Sequence, residues 1–170
     1  MGVTNVIGGH FELTNHHGET VRDDNYRGQF MLVYFGFTHC RVVCPRALAK
    51  LSSVLDRIGE SAKQIEALYV TVDPTRDTPQ VMKAYLEAKY PRFTGLTGTV
   101  EQIDATKRAF RIFAERKADE EDPDGYSVPH TAIAYLMGPD GSYRAHFPDS
   151  LDEETVASRI LVNLENQSRN

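Results

Sequence analysis

A chain of 170 residues, 41% hydrophobic and 25% charged, has the size and composition of one globular domain with its own core. Its formal net charge of −5, with Lys and Arg scattered along the chain, excludes nucleic acid as a partner, because phosphate binding needs a clustered basic face. The longest apolar run, residues 30–37, is far short of the ~18 residues that cross a bilayer as a helix, so the chain as given is predicted to be soluble.

Residues 11–14 and the neighbourhood of Thr20 read as two short extended pieces joined by Asn15-His16-His17-Gly18, a hairpin turn. Residues 30–35 are continuously apolar and rich in β formers, which predicts a central parallel strand buried on both faces. A loop follows to Cys40, and from about Val43 the residues Leu48, Leu51, Val54, Leu55 and Ile58 recur at helical spacing until Gly59. Residues 67–72 predict a second buried strand ending at Asp73-Pro74. Thr78 and Pro79 then supply the N-cap and first position of a helix that runs to about Lys89. Thr99 with Gln102, and Ser150 with Glu153, predict capping boxes for two further helices, the last with Val156, Ile160 and Leu164 on its apolar face. Before that last helix, residues 131–137 and 143–147 flank Gly138-Pro139-Asp140-Gly141 as a β-hairpin. The acidic run 119–124 contains Pro123 and reads as a solvated loop.

A βαβ start with a ββα finish predicts an α/β, thioredoxin-like fold with an N-terminal β-hairpin extension. Residues 1–8 read as a disordered or expression-derived N-terminus, 9–166 as the domain and 167–170 as a tail. Right-handed crossover makes the two buried strands parallel, with helices on both faces. Sites in such sheets gather beyond the carboxyl ends of the parallel strands. Cys40 follows the first of those strands and Asp73 the second, and His130 reaches the same edge if residues 131–137 run antiparallel.

Cys40 and Cys44 are the chain's two cysteines, and a cross-link so local would stabilise the domain only modestly, so the pair calls for a chemical role. If the first helical turn already includes Cys40, four residues of 1.5 Å rise put the two Cα atoms about 6 Å apart. That suits either a disulfide or one metal ion held between two thiolates. A helix N-terminus and the adjacent Arg41 favour the thiolate. Two thiolates and the imidazole of His130 suit copper as Cu(I), whereas zinc would want a fourth ligand from Asp73 or water. His39 is a candidate to acidify Cys40 or shuttle a proton, and Asp73 is an auxiliary candidate that also reads as a turn and helix-start residue. His10, His16 and His17 read as solvent-facing, with an adventitious copper site as the alternative. The rival to a copper role is a thiol-disulfide reductase using Cys40 and Cys44 as its redox pair. A peroxidase of the peroxiredoxin type is disfavoured, because Phe37 occupies the place three residues before Cys40 where Thr or Ser would be wanted.

The motifs Gly36-Phe37-Thr38-His39-Cys40 with Cys44-Pro45, residues 72–79 (VDPTRDTP), residues 95–99 (GLTGT), His130-Thr131 and residues 135–141 (YLMGPDG) occur in order, and on them the chain resembles the Sco/SenC family from about Gly9 to Leu164. The resemblance implies a thioredoxin-like fold and binding of copper, as Cu(I) or Cu(II), through Cys40, Cys44 and His130. It also implies a metallochaperone role in assembling the binuclear copper centre of cytochrome c oxidase. The implied partners are the copper-accepting oxidase subunit and another copper carrier as donor. The implied location is the periplasmic face of the bacterial inner membrane or the mitochondrial intermembrane space, with an N-terminal membrane anchor absent from the chain as given. Two positions depart from the family pattern. Arg41 stands where Pro is common, and Pro129 stands where Asp is common before the histidine, removing a carboxylate that could orient the imidazole.

Overall fold

The computed structural model describes residues 6–39, 43–118, 126–128 and 130–168, so the acidic run 119–124 lies outside the described residues. One seven-stranded sheet organises the chain, in the order β2-β1-β5-β4-β3-β8-β9. Its strands are β1 (Glu12–Asn15), β2 (Thr20–Arg22), β3 (Phe30–Gly36), β4 (Ile65–Thr71), β5 (Phe93–Thr97), β8 (Ile133–Met137) and β9 (Tyr143–Pro148). A separate ladder pairs β6 (Lys117–Ala118) with β7 (Tyr126–Ser127). The helices are α1 (Val43–Arg57), α2 (Pro79–Lys89), α3 (Val100–Phe110) and α4 (Glu153–Ser168).

All seven residues of β3 are buried, as a central strand requires. The two-residue period of the strand sends Phe30, Leu32 and Tyr34 into the core under α1, α2 and α4. Met31, Val33 and Phe35 enter the second core, under α3 and the N-terminal hairpin. The distribution of helices follows from handedness. The crossovers from β3 through α1 to β4, and from β4 through α2 to β5, advance in one direction and put both helices on one face. On the connection that returns past β3 to the antiparallel β8, α3 packs on the other face. β3 pairs parallel with β4 and antiparallel with β8, so the end of β3, the end of β4 and the start of β8 share one edge, as the sequence predicts.

Several elements differ from the sequence reading. β5, absent from that reading, is the third parallel strand, and β1 pairs antiparallel with it, so the N-terminal hairpin extends the main sheet. The last helix is capped by Asp152, whose Oδ1 accepts from the Thr155 amide at 2.7 Å, and not by Ser150. α4 continues to Ser168, and at the other end Ile7 packs on the second core while the Gly8 amide donates to the Ala109 carbonyl at 2.7 Å. The caps expected at the other two helices are present: Thr78 accepts from the Val81 amide as the N-cap of α2, and Thr99 with Gln102 forms the full reciprocal box of α3.

Candidate metal centre

β3 ends at Gly36, and the next two residues, Phe37 and Thr38, are held by the loop between β4 and α2. The Asp77 side chain, wholly buried, accepts from the Thr38 amide at 3.0 Å, the Thr38 hydroxyl at 2.5 Å and the Thr71 hydroxyl at 2.7 Å. Burial is the largest influence on this carboxyl and raises its pKa above the ordinary range, while the Thr38 and Thr71 hydrogen bonds pull it back down. Thr38 Oγ1 gives its one proton to Asp77, so the contact with His39 Nδ1 at 3.4 Å has the imidazole donating to the hydroxyl. His39 is half-buried there. Cys40 and Arg41 lie outside the described residues, and Cys44 is the second residue of α1. The helical relation expected between the two cysteines therefore rests on sequence alone.

His130 stands at the same edge, as the antiparallel run of β8 requires. Its ring meets the Phe37 ring edge-on at a centroid distance of 5.7 Å, and Phe37 is three residues from Cys40 in the chain. Backbone pairing fixes the position, through a bridge between Ala114 and His130 and the Thr131 amide donating to the Phe113 carbonyl at 2.9 Å. Nδ1 lies 3.0 Å from the Val128 carbonyl oxygen. A carbonyl can only accept, so Nδ1 donates this hydrogen bond, and Nε2 is the ring nitrogen that would serve as a metal ligand. Arg76 lies over the Phe37 ring, its guanidinium carbon 5.8 Å from the ring centroid. Arg76 Nε in turn pairs with Asp73 Oδ2 at 2.5 Å, both side chains being buried. Asp73, an auxiliary candidate in the sequence, is thus joined to the site through Arg76, Phe37 and His130 in succession.

The SCO1/SenC family profile matches residues 2–165. The chain belongs to the SCO1/SenC family. It is 39% identical over 161 residues to the human mitochondrial SCO1 homolog, covering 94% of this chain and 53% of that protein. It spans about half the length of the curated relatives it matches first. Among solved structures, Arabidopsis thaliana ScoI with copper bound superposes with a TM-score of 0.87 at 32% identity, covering 95% of this chain and 99% of the other. A disulfide-switch protein, BsSco, described as a member of the Sco family of cytochrome c oxidase assembly proteins, superposes with a TM-score of 0.73. At 23% identity, over 96% of each chain, it shares the fold.

Within this SCO1/SenC chain the Val128 carbonyl accepts from His130 Nδ1 and so orients the imidazole. Sequence reasoning missed Asp77, although the motif that contains it was in view; the Thr38 and Thr71 hydroxyls two residues from β3 and at the end of β4 were the signal. The N-terminal histidines correct the solvent-facing reading at one position. His16 is 6% exposed, and its Nδ1 accepts the Gly95 amide proton at 3.0 Å. Burial, and secondarily His17, hold its pKa below the ordinary imidazole value. Ligand atoms of His16, His17 and Glu87 lie within 4.8 Å of one another, but the Gly95 contact uses the His16 lone pair and leaves the proton on Nε2. In the cluster of His10, Asp23 and Asp24, Asp23 Oδ2 is already held by Arg27 at 2.8 Å and His10 at 2.9 Å. Neither cluster offers a cation an uncommitted donor set.

Proposed function

We propose that this chain is a copper metallochaperone that holds one copper ion through Cys40, Cys44 and His130 and assists assembly of the binuclear copper centre of cytochrome c oxidase. The observation that carries the reading is the contact of His130 with Phe37, which brings a strand-entry imidazole, its Nδ1 donating to a carbonyl, to the chain segment three residues from Cys40. Copper is the cargo. Two thiolates and one imidazole form a soft donor set that accepts Cu(I) at low coordination number, and Nε2 gives Cu(II) the nitrogen it favours. The first turn of α1 contains Cys44, so the helix dipole favours its thiolate. The same position suits thiol-disulfide exchange, and reduction of the acceptor's cysteines is the second reading of this dithiol. In the whole protein we place the domain outside the cytoplasm, on an N-terminal anchor facing the periplasm or the mitochondrial intermembrane space. No helix among the described residues is long and apolar enough to cross a membrane.

Anaerobic titration of the fully reduced protein with copper, counted against zinc, tests the reading. One copper per chain is expected, and Cys40→Ser or Cys44→Ser should abolish most of the binding, as should closing the disulfide. Unchanged stoichiometry and affinity in either variant would refute the thiolate site.

A further inference from the structure

The loop between β4 and α2 ties together the ends of all three parallel strands. Asp77 accepts from Thr71, the last residue of β4, and twice from Thr38, two residues beyond β3. Its backbone carbonyl accepts from the hydroxyl of Thr97, the last residue of β5, at 2.7 Å, and its amide donates to the Asp73 carbonyl at 3.0 Å. Loop segments beyond a sheet are ordinarily its least constrained parts. Here the segment that leads to Cys40 is fastened to the interior by two hydrogen bonds to one buried carboxylate.

We propose that Asp77 is the positioning residue of the copper site, fixing the chain that delivers Cys40 in register with His130. The inference rests on the reading of Cys40, Cys44 and His130 as ligands. Both arms of the site lead back to one loop, because Arg76, one residue before Asp77, covers the Phe37 ring whose edge meets His130. Asp77 acts through hydrogen-bond geometry. Asn at this position keeps all three contacts: its carbonyl oxygen takes the Thr38 amide and the Thr71 hydroxyl, and its amide nitrogen donates to Thr38 Oγ1, which turns from donor to acceptor. Ala leaves three donors unanswered, and Thr38→Val removes only the hydroxyl link on the Cys40 side.

The test compares D77N, D77A and T38V by two readouts on the reduced, full chain. One is the copper affinity with the Cu(II) spectrum; the other, in metal-free protein, is the dithiol–disulfide equilibrium of Cys40 and Cys44 against a reference dithiol. D77N should stay within about threefold of wild type in both, since its contacts survive. D77A should weaken copper binding about tenfold or more, change the Cu(II) spectrum and move the equilibrium toward the dithiol by a similar factor, because a loosened arm loses preorganisation. T38V should move both readouts the same way by less, and it carries the test if D77A does not fold. Wild-type values in folded D77A, or in T38V where D77A does not fold, would overturn the proposal, as would D77N behaving like D77A. If wild-type protein takes up no copper, the ligand reading fails, and the metal-free equilibrium still decides the role of Asp77.

Discussion

Thr38 links the chemistry of the edge to the interior, since its amide and hydroxyl both end on the buried carboxylate of Asp77. The carboxyl is raised chiefly by burial, so the folded state holds its proton more tightly than the unfolded chain does. Between the ordinary carboxyl value and the raised one, the folded protein therefore binds more protons, and stability falls as pH rises through that window. Asp77→Asn has no proton to lose there. Urea unfolding across the acidic range should show this decline flattened in the variant, and an unchanged pH profile would count against the buried, raised carboxyl. At this scale the sequence was informative about where His130 stands, because the antiparallel run of β8 that brings it to the edge ending β3 is computable from topology. It was silent on Asp77, because an Asp in an Asp-Pro-Thr-Arg-Asp turn looks like turn chemistry until the distant Thr38 is folded against it. His16 escaped for a related reason, since only the pairing of β1 with β5 brings the Gly95 amide to it.

Among the elements, β3, β4, α1 and α2 were legible because continuous apolar runs, helical periodicity and caps agree with one another. β5 was not, because Gly95 interrupts a five-residue strand and lowers its β signature. The glycine has a packing cause: a Cβ there would stand 3.0 Å from both Met82 Cβ and Leu86 Cδ1, so α2 rests directly on the backbone of β5. Gly95→Ala should destabilise the domain by about 1–3 kcal/mol through overpacking, read as a lower urea midpoint with an unchanged slope. An unaltered midpoint would mean that α2 moves aside freely. The capping box at Thr99 supports a smaller prediction: Thr99→Ala removes the acceptor of the Gln102 amide and should cost about 1 kcal/mol in the same measurement.

Among the described residues two extensive apolar cores lie one on each face of the sheet. Folding should therefore survive complete removal of copper, with native circular dichroism and a cooperative transition in the metal-free protein. Loss of both would make the ion structural instead of cargo. Copper affinity should fall with pH, because protons compete for the thiolates and the imidazole. The copper-carrier and dithiol-reductase readings part at this scale, since a carrier needs the β8 edge and a reductase needs only α1 and the chain before it. The most direct test is copper titration of the His130→Ala protein, with Cu(I) and Cu(II) measured separately and the Cu(II) spectrum recorded. The copper-carrier account predicts weaker binding and a changed spectrum, the larger loss falling on Cu(II), while the Cys40–Cys44 disulfide still forms. Wild-type affinity and spectrum for both oxidation states would contradict it and leave the dithiol acting alone.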